Sequence, residues 1–377
     1  MPQGVRVRVS PPAQIHFHLN LDEFISAEIK NEVDELSFSW ESPSNIALVK
    51  YWGKFSNQTP KNPSISFTLS NCKTTTNVVF KRLPKSNDLV AFDFYFENKL
   101  NIDFRPKIEK FFTSIIKYCP YLLDFSLTIK SSNSFPHSSG IASSASGMSA
   151  LSLCIMSLEK ELTEIDMNYM FQKASFISRI GSGSACRSIY GGINFWGNHQ
   201  ETSESSDFYS VRMDEHISSK FDNYRDTILI IDNQAKEVSS SVGHKLMDNH
   251  PFSEIRFEQA NHNISKLKSI FSSGNLNQFC DLVEKEALML HSLMMSSDPS
   301  YILMKPETLI VITKIQKFRK KSKIPVCFTL DAGANVHVLY PDNYSNQVKD
   351  FIKDELLSYC KNEKIISDII GDGPKQF

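Results

Sequence analysis

Apolar and β-branched residues alternate with polar ones, or form short unbroken runs, over 37–40, 46–51, 64–69, 74–80 and 89–96. This pattern predicts strands of an antiparallel sheet. Helical periodicity takes over near 106–118 and across 143–162. A second block repeats the sequence of signals, with a strand over 227–232, helix-rich sequence over 251–290, an amphipathic helix over 307–320, and a β pair over 326–330 and 335–340. Strands followed by runs of helix imply an α+β class. The polar stretch 198–214 reads as a linker, which places the domain change near residue 220. The chain is thereby divided into an N-terminal extension over 1–36, expected to be flexible in part, a first domain over 37–220 and a second over 221–377.

Composition narrows the function classes. The chain has 377 residues, 41% of them hydrophobic, which suffices for the cores of two domains. Its 41 basic and 42 acidic residues are interspersed, so no electrostatic case exists for nucleic acid or a membrane surface as partner. The apolar runs 228–231 and 309–312 are too short to span a bilayer. Seven cysteines, scattered and never spaced C-x-x-C, argue against a disulfide framework or a zinc site and suit a reducing cytoplasm. The ten histidines show no H-E-x-x-H spacing, so metal hydrolysis of that kind has no support.

Candidate chemistry concentrates in four strings. The first, 134–147, reads Ser-Phe-Pro-His-Ser-Ser-Gly-Ile-Ala-Ser-Ser-Ala-Ser-Gly and empties into the predicted helix 143–162. Such a loop points backbone N–H groups and hydroxyls at one place and suits phosphate, although Ser144 as a plain helix cap is the simpler alternative. It lacks the Gly-Lys-Ser/Thr ending of a P-loop and is not G-x-G-x-x-G. The others are 44–54 (Ser-Asn-Ile-Ala-Leu-Val-Lys-Tyr-Trp-Gly-Lys), 179–192 (Arg-Ile-Gly-Ser-Gly-Ser-Ala-Cys-Arg-Ser-Ile-Tyr-Gly-Gly) and 329–335 (Thr-Leu-Asp-Ala-Gly-Ala-Asn). Taken locally, Asp331 could equally be a turn-forming residue before Gly333, Arg187 a domain-bridging ion pair, and Lys50 and Lys54 a solvated face. An unbroken strand through Lys54 would set those two lysines roughly 13 Å apart on one face. Cys186 reads as a packed thiol.

In their order and spacing the four strings resemble mevalonate diphosphate decarboxylases, members of the GHMP kinase superfamily, with K-Y-W-G-K and G-S-G-S-A-C-R-S the most specific. The resemblance implies a ribosomal protein S5 domain 2-like N-terminal domain, a ferredoxin-like C-terminal domain and an active site between them. It implies ATP and Mg²⁺ as cofactors, mevalonate 5-diphosphate as substrate and a homodimer. The reaction would be phosphorylation of the substrate's tertiary hydroxyl, then loss of phosphate and carbon dioxide to give isopentenyl diphosphate.

Residue by residue, the resemblance puts Pro136, Ser139, Gly140, Ser143, Ser144 and Gly147 around ATP, with Ser144 touching Mg²⁺. It makes Asp331 the group facing the substrate hydroxyl, Lys50 its neighbour at the transferred phosphate, and Arg187 the clamp on the substrate carboxylate. Ser182, Ser184 and Asn45 stand near that clamp, and Tyr51 and Lys54 near the diphosphate. The stretch 236–243 and His291 fit the family pattern more loosely, as cleft or structural residues. Three departures stand out. His137-Ser138-Ser139 occupies the place of Thr-Ala-Ala, Ala334 that of Pro, and Phe55-Ser56 that of Arg-Asp. The last leaves a phosphomevalonate decarboxylase or a mevalonate-type kinase of the same fold as the alternatives.

Overall fold

A computed structural model describes residues 21–136, 141–213, 216–234 and 238–377. The α+β class expected from the pattern is what the chain adopts, in two sheets. The first is built on two long strands, β1 (Glu35–Val49) and β2 (Ser64–Arg82), paired antiparallel. Each was expected as two shorter strands. Runs of Ser, Thr and Asn at their midpoints broke the apolar pattern, yet those polar residues are buried and bonded: Ser42 Oγ donates to Ser149 Oγ at 2.6 Å, and Thr74 Oγ1 lies 2.6 Å from Ser146 Oγ. Register shifts at 43/45 and 47/49 let β1 stay in the ladder.

The remainder of the first half comprises β3 (Ala91–Phe96), β4 (Lys99–Leu100), α1 (Arg105–Ile115), β5 (Phe125–Asn133), α2 (Ser143–Thr163), α3 (Met167–Gly181), β6 (Ile193–Trp196) and β7 (Ser210–Arg212). β3 runs parallel to β5, a departure from the purely antiparallel expectation. Helix α2 lies across the sheet, and 16 of its 21 residues are buried, Leu153, Ile155 and Met156 among them. That surround explains why an amphipathic stripe is hard to see in it. Within the expected N-terminal extension, Phe24 is buried and stacks on Phe176 of α3 with centroids 4.2 Å apart.

The second half contains β8 (Arg225–Leu229), α4 (Ser240–Leu246), α5 (Ser253–Ser273), α6 (Leu276–Met295), α7 (Pro306–Ser322), β9 (Cys327–Thr329), β10 (Val336–Tyr340), α8 (Ser345–Phe351), β11 (Ile365–Ile369) and β12 (Lys375–Gln376). Its sheet has the order β11-β8-β10-β9, all antiparallel. The last strand leaves it. β12 pairs with β1 at Trp40 and Glu41 and so returns the chain to the first sheet.

The two sheets share a core. Ile46, Leu48 and Phe67 of β1 and β2 pack with Phe221, Tyr224, Ile264, Phe271 and Phe279 of the second half. Phe221 meets Phe271 edge-on at 4.9 Å, and Phe67 stacks on Phe279 at 6.1 Å. Each such ring contributes roughly 1.5–3 kcal/mol by burial, so the halves are welded along β1 up to Val49. The chain emerges from that weld at Lys50.

Candidate active site

Lys50 follows the last residue of β1, and its main chain is gripped from three directions. Its N–H donates to Glu286 Oε2 at 2.9 Å, while its carbonyl accepts from Arg256 Nη2 at 2.8 Å and from Asn62 Nδ2 at 2.9 Å. Glu286 and Arg256 form a bidentate pair, 2.8 Å in each arm, and Asn263 adds a donor to the same carboxylate at 2.5 Å. A buried pair of this kind contributes little net stability, but its geometry fixes whatever is bonded to it.

Held there, Lys50 Nζ reaches Asp331 Oδ1 at 3.0 Å, across 281 residues of sequence. The ammonium is 1% exposed; burial lowers its pKa, and the Asp331 carboxylate beside it works in the opposite direction. Asp331 sits in the turn between β9 and β10. Its carbonyl accepts from Gly333 N–H at 2.7 Å and lies 3.1 Å from His291 Nε2. The turn is pinned to the end of β8, where Asn335 Oδ1 accepts from Ile231 N–H and Asp232 N–H at 2.7 and 2.9 Å. The main chain therefore makes this turn, and the Asp331 carboxylate is left to face Lys50. Strand β1 stops at Val49, so Lys50 and Lys54 do not share a strand face.

Arg187 lies in the tight turn Gly183–Ser188 that follows α3. It is buried, and its donors go to neutral groups: Nε to Asn45 Oδ1 at 3.3 Å and Nη1 to Ser64 Oγ, with the guanidinium 5.8 Å above the Trp196 ring. Among the described residues no carboxylate lies within ion-pair distance of it. The domain-bridging salt bridge considered from sequence is thus absent there. Burial lowers its pKa, while Cys186, Asp331 and Tyr51 raise it. Asn45 Nδ2 completes the frame by donating to Ser184 O at 3.2 Å and Ser188 Oγ at 2.8 Å. Cys186 is buried and unpaired, its pKa pushed up to about 12 by burial.

Tyr51 packs against Gly183, where a Cβ would stand 2.8 Å from the Tyr51 hydroxyl. That hydroxyl is buried and has no hydrogen-bond partner among the described residues. Lys54 Nζ is half-buried and donates to Gln58 Oε1 at 2.7 Å. Burial lowers its pKa, followed by Lys110 and Lys107. Phe55 is exposed, and Lys61 Nζ lies 5.5 Å over its ring while paired with Asp248 at 2.7 Å. A cation is therefore near the position where the family pattern has Arg, although it already has a carboxylate.

At the other wall, α2 begins at Ser143 after Ala142, whose φ of 47° is left-handed. Ser144 does not cap the helix: it is the second helical residue, and its Oγ lies 3.3 Å from Ser182 Oγ. The helix start and the Arg187 turn therefore touch. Beside them opens an apolar cavity lined by Phe94, Phe96, Phe104, Lys107 and Met148, with Ser143, Ser144 and Gly147 on its rim. Pro136 lies in the irregular segment after β5; Ser139 and Gly140, with His137 and Ser138, lie outside the described residues, as does Lys236.

Sequence reasoning missed Lys107, Arg256, Glu286 and His244. Glu286 had a readable signal, because it falls on the apolar stripe Phe279, Leu282, Val283, Leu290 of α6 at helical spacing. The others had none, being single polar residues whose partners are distant in sequence.

Residues 42–207 match the family model of the diphosphomevalonate decarboxylase-like N-terminal domain, and residues 226–372 that of the mevalonate 5-diphosphate decarboxylase C-terminal domain. A diphosphomevalonate decarboxylase of Debaryomyces hansenii is 30% identical over 325 residues, 81% of this chain and 80% of the relative. That of Saccharomyces cerevisiae is 29% identical, covering 82% and 79%. A crystal structure of mevalonate diphosphate decarboxylase from Staphylococcus aureus superposes with a TM-score of 0.78 at 27% identity, covering 91% of this chain and 98% of that one. A structure described as MDDEF in complex with MVAPP, AMPPCP and magnesium gives 0.77 at 25% identity, covering 91% and 99%.

Proposed function

Because the chain belongs to the diphosphomevalonate decarboxylase family, an ATP- and Mg²⁺-dependent group of lyases with the GHMP kinase fold, we propose that its cleft divides the reaction among the groups just described. The enzyme converts mevalonate 5-diphosphate and ATP to isopentenyl diphosphate, ADP, phosphate and carbon dioxide, a step of the mevalonate pathway.

The observation that carries the division of labour is the Lys50–Asp331 pair, drawn from opposite halves and 3.0 Å apart. Asp331 accepts or orients the proton of the tertiary hydroxyl as that oxygen attacks the γ-phosphorus. Lys50 holds the carboxylate by a charge-assisted hydrogen bond and lies where charge moves onto the transferred group. Arg187 takes the substrate carboxylate; its buried guanidinium, with only neutral partners among the described residues, gains there an anion that those residues do not supply. Asn45, Ser182 and Ser184 frame that anion. When the phosphorylated oxygen leaves carbon 3 as phosphate, the electrons of the breaking bond to the carboxyl carbon form the new double bond, and carbon dioxide departs.

Tyr51 and Lys54 receive the diphosphate. The α2 start, with Pro136, Ser143, Ser144 and Gly147, receives the triphosphate, since the first turn of a helix offers unpaired N–H groups and the positive end of its dipole. The cavity beside it, apolar with Lys107 at its edge, suits the purine. The Ser144 and Ser182 hydroxyls fit Mg²⁺, a hard cation that takes oxygen ligands and draws most of them from phosphate and water. When bound, the ion neutralises phosphate charge. A homodimer in the cytoplasm is the assembly and location we propose; seven unpaired, buried cysteines accord with a reducing compartment.

The test is a product balance. Wild-type protein with Mg²⁺, ATP and mevalonate 5-diphosphate should release ADP, phosphate and carbon dioxide in equal amounts. ADP without carbon dioxide, with a stable 3-phosphorylated product, would make the protein a kinase. Mevalonate 5-phosphate assayed alongside should turn over far more slowly; equal turnover would remove the diphosphate role of Tyr51 and Lys54.

A further inference from the structure

The loop that carries Tyr51 and Lys54 packs against the second half, where Trp52 lies among Met247, Leu290 and Met294, and one polar side chain there bonds its main chain. His244 of α4 lies against both rings of that loop, its centroid 4.3 Å from Tyr51 and 4.6 Å from Trp52, each at 38°. Its Nδ1 accepts the Gly53 N–H at 3.0 Å. Two glycines permit the approach. Gly53 has a φ of +96°, and a Cβ on Gly243 would stand 2.6 Å from the Trp52 ring.

The hydrogen bond also settles the form of the ring. An Nδ1 that accepts carries no proton, so the imidazole is neutral and its proton is on Nε2. Burial together with the nearby Lys54 and Arg187 cations lowers the His244 pKa to about 3, so the acceptor persists across the ordinary assay range. A protonated ring would lose the Gly53 bond and place a third cation beside two.

We propose that His244 is a positioning residue for substrate binding: by accepting the Gly53 N–H and packing tilted against Tyr51 and Trp52, it fixes the 51–54 loop in the shape that presents Tyr51 and Lys54 to the diphosphate. This rests on the reading that those two residues bind the diphosphate. It adds a contact through which the second half sets substrate affinity. The geometry distinguishes His244 from a packing residue, because the acceptor must stand at the Nδ1 position and not merely somewhere in the ring's volume.

Three variants separate these roles. His244→Asn keeps an oxygen acceptor near the Nδ1 position, His244→Gln carries its amide one bond farther, and His244→Leu removes the acceptor. KM for mevalonate 5-diphosphate should rise roughly tenfold in His244→Leu and His244→Gln and stay within about threefold of wild type in His244→Asn, as expected for one lost hydrogen bond and a loosened loop. KM for ATP and kcat should move by less than about threefold in all three. If His244→Leu does not fold, the contrast between His244→Asn and His244→Gln decides. Equal losses in those two, or a loss that falls on ATP or on kcat, would overturn the proposal. Lys54→Ala serves as the control on its premise: an unchanged substrate KM there would refute the diphosphate reading itself, whereas a raised KM there with none in His244→Gln would refute only the role of His244.

Discussion

The two ends of the cleft are built differently. At the Lys50 end, main chain and side chain are positioned by protein: a bidentate Arg256–Glu286 pair, Asn62 and Asn263 hold the backbone, and Asp331 receives the ammonium. At the Tyr51–Arg187 end the groups are held in place but left short of partners. Among the described residues the buried Tyr51 hydroxyl finds no partner, and Arg187 has only neutral acceptors. Leaving a buried polar group unsatisfied costs about 1–3 kcal/mol, a cost that a bound anion removes. The first end is thus organised before substrate arrives, and the second is completed by it. Chemistry needs the former and affinity draws on the latter.

Breaking the chemical end should have the largest effect. Asp331→Asn preserves shape but can neither take the proton nor supply charge, and kcat should fall roughly 10²–10⁴-fold, read as carbon dioxide release. Turnover near wild type in a folded variant would end the catalytic assignment.

The next effect comes from the ground beneath Lys50. Glu286→Leu leaves Arg256 buried without its carboxylate, which should cost about 3–5 kcal/mol of stability, measured by urea unfolding. Little change would mean that the grip on the Lys50 backbone lies in Asn62 and in packing.

At the binding end, Arg187→Lys replaces paired donors by a point charge. A drop in kcat/KM of roughly 10–100-fold is expected, with ATP affinity unchanged, by initial-rate kinetics. A collapse of ATP binding instead would move Arg187 to the nucleotide side. Tyr51→Phe is the mildest change, since it removes one hydroxyl that waits for a partner; substrate KM should rise about two- to tenfold. In the absence of substrate, its stability should equal or exceed that of wild type, because an unsatisfied buried group has been deleted.

How much of this was legible in the sequence follows the same division. Strings that gather several chemical residues locally, such as 44–54, 179–192 and 329–335, stood out at once, and Lys50, Asp331, Arg187 and Asn45 do converge. Helix α2 was legible from its length and composition. The clamp on Lys50 was legible only in Glu286, a charge on the apolar stripe of α6; that it grips Lys50, and that Arg256 joins it, was not, since the two lie 236 and 206 residues away and neither sits in a motif. The sequence pattern splits β1 and β2 into four strands, because buried serines and threonines look like turn residues until their cross-strand partners are known. The two-residue β12 and the contact of His244 with Gly53 depend wholly on tertiary approach and leave no local pattern.

The separation of the two ends is tested most directly by measuring two quantities on the same two variants: equilibrium binding of mevalonate 5-diphosphate, and the single-turnover rate at saturating substrate and ATP. Asp331→Asn should lower the rate by roughly 10²–10⁴-fold with Kd within about threefold of wild type, while Tyr51→Phe should raise Kd about two- to tenfold with the rate nearly unchanged. If both variants shift rate and Kd in the same proportion, the cleft works as a single unit and the division drawn between its ends is wrong.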